Sequence, residues 1–202
     1  MSAPETDIYS YEKELAAGVF PFCGVDEAGR GPLAGDVYAA AVILPKECFL
    51  PGLNDSKKLS AARRDALYES ITSSAVAWAV ASASVEEIEE LNIKNAAYLA
   101  MDRAIAALQV TPQLALVDGN DKNNLSVPAI KVIKGDGLCA SIAAASILAK
   151  VSRDRYMLRM AEVYPGYGFE KHKGYGTAEH YAAIRTLGPC AIHRPTFLRK
   201  MH

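Results

Sequence analysis

Phe22-Cys23-Gly24-Val25-Asp26-Glu27-Ala28-Gly29-Arg30-Gly31-Pro32-Leu33-Ala34-Gly35 is the stretch whose reading decides the fold. An apolar run ends in two adjacent carboxylates, and a Gly-Arg-Gly turn follows at once. A second apolar run, Val37 to Leu44 (VYAAAVIL), comes next and is stopped by Pro45. A run with so little polar alternation reads as a strand covered on both faces, so the two strands and their Gly-rich link predict a hairpin in a central sheet. Carboxylates at a strand end suit a hard divalent cation, which takes oxygen ligands. The glycines let backbone amides approach a ligand, and the Arg between them adds a planar fork of donors suited to phosphate. Metal-assisted phosphodiester chemistry is the first expectation.

Working outward, Ser60 is a good N-cap for a helix carrying Leu67 and Ile71, and Ala75 to Val85 reads as a strand rich in small residues. Ser84 to Leu108 has helical spacing with a break expected near Asn92. Leu114 to Asn120 and Ala129 to Ile133 read as two further strands. The longest helix is expected from Leu138 to about Val163, apolar nearly all round as far as Val151. Its polar positions Ser146, Lys150, Arg153 and Asp154 form one stripe. A Gly/Tyr/His-rich loop, a short helix near Thr177–Leu187 and a basic tail follow. The order predicts one α/β domain on a mixed sheet: an N-terminal arm over 1–19, a core over 20–163 and a helical C-terminal extension over 164–202 packed on it.

At 202 residues, half of them hydrophobic, the chain is ordinary globular material rather than a disordered one. No apolar run reaches the length of a membrane span, and the polar, acidic first 17 residues do not read as a secretory signal. Cys23, Cys48, Cys139 and Cys190 are scattered without a zinc spacing, which suits reduced thiols in a cytoplasm. Net charge is −1, but residues 150–202 carry 10 Lys and Arg against 4 acids, and residues 1–149 carry 12 against 19. An acidic body with a basic flank fits a metal-binding core beside a phosphate-contacting surface.

Three strand ends carry acids: Asp26 with Glu27, Asp118, and Asp136 at the start of the longest helix. Ligands gather at such ends in α/β sheets, and carboxylates crowded together call for cations between them. Each acid also has a plainer reading. Asp118 suits a turn, Asp136 suits a helix cap, and Glu27 should face away from Asp26 unless the strand ends there. Arg30 reads equally as an exposed turn residue, and Lys57, Lys58 and Lys150 as solvated charges. His172, His180 and His193 are expected to serve as hydrogen-bonding or structural groups, since hard carboxylates do not pair with a histidine metal triad.

Several blocks, in order, resemble bacterial ribonuclease HII: Gly24 to Leu33, Asp55-Ser56-Lys57-Lys58-Leu59, Val117-Asp118-Gly119, Gly135-Asp136, Ile142 to Val151, His172-Lys173-Gly174-Tyr175-Gly176-Thr177, Gly188-Pro189 and His193-Arg194. They span nearly the whole chain from about residue 20. The related ribonuclease HIII class carries an extra N-terminal domain, for which the short arm leaves no room. The resemblance implies a ribonuclease H-like fold and a metal site of Asp26, Glu27, Asp118 and Asp136 holding two divalent ions, Mg²⁺ or Mn²⁺. It implies that Gly29, Arg30 and Gly31 contact a ribonucleotide 2′-hydroxyl and that Tyr175 packs on the neighbouring deoxyribose. Ser56, Lys57 and Lys150 are expected along the substrate path. The implied activity is endonucleolytic cleavage of the RNA strand of RNA–DNA hybrids and of single ribonucleotides in duplex DNA, leaving 5′-phosphate and 3′-hydroxyl ends. A cytoplasmic monomer with no obligate protein partner is expected. A silent hybrid-binding module and a DNA-specific nuclease of the same fold are the alternatives.

Overall fold

The structure, a computed structural model, describes residues 7–53, 59–120 and 125–199. Its centre is a five-stranded sheet of β1 (Phe22–Ala28), β2 (Val37–Ile43), β3 (Ala77–Ala83), β4 (Leu114–Asp118) and β5 (Ala129–Val132). The spatial order is β3-β2-β1-β4-β5. β1 to β3 form an antiparallel meander, and β4 and β5 run parallel to β1. The expected hairpin is therefore present, and β1 is the middle strand of a mixed sheet.

Helices α1 (Ile8–Ala16), α2 (Ala61–Ser74), α3 (Val85–Ala106) and α4 (Ala140–Val163) surround it. The shorter α5 (Phe169–His172), α6 (Ala178–Leu187) and α7 (Pro195–Leu198) follow. The helix starts follow their capping chemistry: Ser60 accepts from the Arg63 N–H, and Ser84 with Glu87 closes a capping box. The expected break in α3 is at Asn92, where φ is 66°.

β2 shows why an unbroken apolar run belongs inside. Ala39 and Ala41 pack under α3, while Ala40 and Val42 pack under α4 and α2 on the other face. α4 crosses β1 so closely that a Cβ on Gly24 would stand 2.1 Å from the Ser141 carbonyl carbon. Small residues make that approach possible, and the run Ala143-Ala144-Ala145 continues it. Further along, Ile147 and Leu148 are fully buried, each worth roughly 1.5–3 kcal/mol in apolar transfer.

The N-terminus of α4 is satisfied from far away. Its N-cap, Cys139, makes no side-chain cap bond. Instead the buried carboxylate of Glu12, on α1, accepts from both the N–H and the hydroxyl of Ser141, each at 2.7 Å. Asp136 is thus not the cap; it sits in a 3-10 turn, Gly135–Gly137, just before the helix.

The C-terminal segment packs on the far half of α4. Tyr167, Phe169 and Ile184 form an apolar cluster with Met157 and with Leu33 and Ala34, just beyond the Gly-Arg-Gly turn. No described helix is long and apolar enough to cross a membrane.

Candidate active site

Strand register places the acids. Val25 pairs with Val117, so the next residues, Asp26 and Asp118, are neighbours at the same end of the sheet. The Gly135 N–H donates to Asp118 Oδ1 at 2.7 Å, which ties the turn carrying Asp136 to β4. Asp26 and Asp136 are 5% and 6% exposed, while Asp118 and Glu27 are half-buried. Asp26 Oδ1 accepts from the Glu27 N–H at 2.7 Å. Burial, followed by the charges of Glu27 and Asp118, pushes the Asp26 carboxyl well above the usual range, against a lowering hydrogen bond from Ser146 on α4.

A cleft of about 220 Å³ opens at this end of β1. Asp26 and Glu27 wall one part, Gly29, Arg30 and Gly31 the next, with Ser146, Lys150 and Tyr175 completing it. Glu27 shares the cleft with Asp26 because β1 ends at Ala28, so the two faces of the strand meet there. Asp118 and Asp136 do not line it; they stand beside Asp26 and on the turn bonded to Asp118. An apolar groove of about 260 Å³, bounded by Val19, Phe20, Phe22 and Pro45, lies at the opposite end of β1, away from the acids. Ser56 and Lys57 lie outside the described residues.

The cations around the cleft each have a carboxylate partner. Arg30 Nη1 is 3.4 Å from Glu27 Oε1, and Lys150 Nζ is 2.7 Å from Asp154 Oδ1. Lys150 Nζ and Arg153 Cζ each sit 5.9 Å from the centre of the Tyr175 ring, which is 43% exposed.

Behind the walls are two guanidinium groups that sequence reasoning left without a role. Arg194 is fully buried and spends its donors on backbone oxygens: Gly29 at 2.7 Å, Arg30 at 3.1 Å, Pro32 at 2.8 Å, and Gly35 at 2.6 and 2.9 Å. Arg153, 1% exposed, donates to the carbonyls of Asp36 and Lys173 at 3.1 Å and of Ala34 at 3.0 Å. Burial, then the charge of Arg153, pushes Arg194 down to about 9, still protonated near neutrality. Gly29, at φ 102°, packs directly on Arg153: a Cβ there would stand 2.1 Å from Nε. Arg153 had a signal, the polar stripe on an otherwise apolar helix. Arg194 had none in periodicity, because it follows irregular backbone.

The histidines form a hydrogen-bonded chain. The Cys190 N–H donates to His193 Nδ1 at 2.9 Å, the two Nε2 atoms of His193 and His180 are 3.1 Å apart, and His180 Nδ1 meets the Tyr175 carbonyl at 2.9 Å. With neutral rings one proton arrangement satisfies all three: His193 donates to His180, and His180 donates to Tyr175.

Among the described residues no group of three or more His, Cys, Asp or Glu side chains is arranged to hold a metal ion. The donor chemistry nevertheless fits one kind of ion. The acids offer only carboxylate oxygens, and the crowding that raises Asp26 is the crowding a hard dication relieves.

The Ribonuclease HII family model matches residues 23–201. A ribonuclease HII from Dechloromonas aromatica is 59% identical over 184 residues, covering 91% of this chain and 94% of that one. Among solved structures, the ribonuclease H2 of Pyrococcus horikoshii matches with a TM-score of 0.75 at 25% identity, covering 89% of this chain and 96% of that chain. The ribonuclease HII of Archaeoglobus fulgidus, solved in complex with PCNA, matches at 0.73 and 28% identity, covering 86% and 93%. With a ribonuclease H-like mixed sheet, acids gathered at its end and a match over nearly the full length, the chain belongs to the ribonuclease HII family and is an endonuclease of ribonuclease H type.

Proposed function

We propose that this enzyme cleaves the RNA strand of RNA–DNA hybrids and single ribonucleotides embedded in duplex DNA, leaving 5′-phosphate and 3′-hydroxyl ends. The observation that carries the reading is the shared cleft, in which two crowded carboxylates and the Gly29-Arg30-Gly31 turn face one space. Carboxylates handle the phosphodiester, and a backbone turn beside them is placed to meet the sugar.

Asp26, Glu27, Asp118 and Asp136 would hold two divalent ions, Mg²⁺ or Mn²⁺. Such ions, when bound, activate water for in-line attack and stabilise charge on the leaving 3′-oxygen. The chain's own residues bind and orient. The half-exposed Lys150 and Arg30 neutralise phosphates, which sets register without reading sequence. Tyr175 offers an exposed ring to the neighbouring deoxyribose, and Ser56 and Lys57 extend the substrate path. The N–H groups of Arg30 and Gly31 have no hydrogen-bond partner among the described residues. A ribose 2′-oxygen fits them, and that hydroxyl distinguishes RNA from DNA. The chain would act as a cytoplasmic monomer, with no protein partner needed for cleavage.

Three labelled duplexes test the reading: all DNA, a long RNA–DNA hybrid, and DNA with one ribonucleotide, each with Mg²⁺, Mn²⁺ or chelator. A nick 5′ to the single ribonucleotide, abolished by chelator and absent from all-DNA, is expected. Equal cleavage of all-DNA would make the enzyme a DNA nuclease, and tight hybrid binding without turnover would make it a binding module. Asp118→Asn should lower cleavage by at least about 100-fold while leaving the fold intact. Full activity in that variant would remove Asp118 from the site.

A further inference from the structure

We propose that Arg194 is a positioning residue for ribose discrimination: its buried guanidinium sets the peptide planes of the Gly29-Arg30-Gly31 turn so that the Arg30 and Gly31 N–H groups face the cleft. This rests on the ribose-reading role proposed above and adds how the turn is held.

In a trans peptide the carbonyl of one residue and the N–H of the next point in opposite directions. Among the described residues the only cis bond is Phe20–Pro21, so the peptides of the turn are trans. Arg194 draws the Gly29 and Arg30 carbonyls inward, which turns the Arg30 and Gly31 N–H groups outward. The next bonded carbonyl shows the same alternation: Pro32 O faces Arg194, and the following Leu33 N–H points away and donates to the Gly174 carbonyl at 2.8 Å. Both Arg30 and Gly31 are exposed while Arg194 is fully buried, so outward means toward the cleft.

The residue type fits this task and little else. Among the described residues no carboxylate lies within ion-pair distance of Arg194, and a second buried guanidinium, Arg153, lies nearby. Placing two unpaired cations in a core is unfavourable compared with apolar packing. A guanidinium offers five donors in a rigid fork, and Arg194 directs all five at four carbonyls of one loop. Lysine could supply the charge but not the fork. Arg153 joins the same loop, through Ala34 and Asp36, to the Lys173 carbonyl beside Tyr175.

The test compares full-length wild type with Arg194→Lys, which keeps the charge and loses the fork. Dissociation constants are measured in chelator for a duplex carrying one ribonucleotide and for its 2′-deoxy counterpart. Circular dichroism at the assay temperature confirms folding. Arg194→Lys should bring the ratio of the two constants about tenfold closer to unity, with all-DNA affinity nearly unchanged. A merely structural role would weaken both duplexes in proportion, and an unchanged ratio in the folded variant would overturn the inference. If Arg194→Lys does not fold, Arg194→Gln is read for the same ratio, with the same outcomes deciding. Methylguanidinium added to Arg194→Ala should restore discrimination before it restores thermal stability. A wild-type enzyme that binds both duplexes equally would refute the ribose-reading role itself, a result distinct from failure of the positioning role.

Discussion

Glu12 offers the sharpest test of how the site's main helix is held. Its Oε2 accepts two hydrogen bonds from Ser141, both at 2.7 Å, and the residue is 4% exposed. Replacing it by Ala removes a side chain that caps α4 and leaves a buried N–H and hydroxyl without this acceptor. Losing a cap costs about 1 kcal/mol, and orphaning buried donors about 1–3 kcal/mol. Allowing for overlap, Glu12→Ala should destabilise by about 2–3 kcal/mol, a fall in Tm of roughly 4–12 °C for a chain of this size. Glu12→Gln keeps one acceptor and should lose about half as much. The pH dependence carries a sign. Burial raises the Glu12 carboxyl above its ordinary value, the Ser141 bonds opposing it. The folded state therefore holds the proton to higher pH than the unfolded chain. Stability from this group is full below the unfolded value and falls as pH rises through the raised one. That slope should vanish in Glu12→Gln. Thermal and urea unfolding across pH 4–8 decide it. A Glu12→Ala protein within 0.5 kcal/mol of wild type would refute the cap.

Other consequences are simpler to read. Gly29→Ala, at φ 102° and against Arg153, should cost more than about 2 kcal/mol and depress activity, because either the turn or Arg153 must move. His193 is 3% exposed, and burial followed by the charge of His180 pushes its ring down to about 4. Between that pH and about 6.5 the unfolded chain binds a proton the folded one refuses, so stability should fall with acidification by at most about 3 kcal/mol, and His193→Asn should flatten that slope. Cys23 and Cys139 are fully buried with thiols pushed up to about 12 by burial, so a thiol reagent should leave both unmodified in the native protein and react with all four cysteines after denaturation. Rapid native labelling of more than two thiols would contradict that burial.

The inner strands β2 and β4 were legible because they are buried on both faces. Val37 to Leu44 and Leu114 to Asn120 read as apolar runs of strand length, and the strands observed there are Val37–Ile43 and Leu114–Asp118; Ser60, Ser84 and Asn92 mark helix boundaries by local hydrogen bonding that short range can reveal. The positions of the acids at strand ends followed from the same runs. Their meeting did not, since it depends on which strands pair: only the register of β1 with β4 puts Asp118 beside Asp26. Glu12 was out of reach for the same reason at greater distance. It lies 129 residues from the helix end it caps, on a segment that reads as a short helix or a loose arm. The buried Arg194 is the extreme case, for a charged residue in irregular backbone looks solvated until the carbonyls it serves are in place.

These two kinds of placement divide the site. The acids are set by sheet register and by α4, whose packing is shared with the whole core, so a change that moves them should also lower stability. The Gly-Arg-Gly turn has no ladder to hold it. Its carbonyls are gathered by Arg194, which approaches from 165 residues away in sequence, and Arg153 ties the adjoining loop to the Tyr175 segment. A five-donor fork fixes direction more than it adds stability, because each bond replaces one the carbonyl would make to water. It follows that the two ends should separate under mutation. Substitutions beneath the acids should shift Tm and turnover together, whereas Arg194→Lys should shift the choice of sugar more than either. Coupled losses in both classes would mean that turn and core act as one unit, and that the guanidinium is only part of the packing.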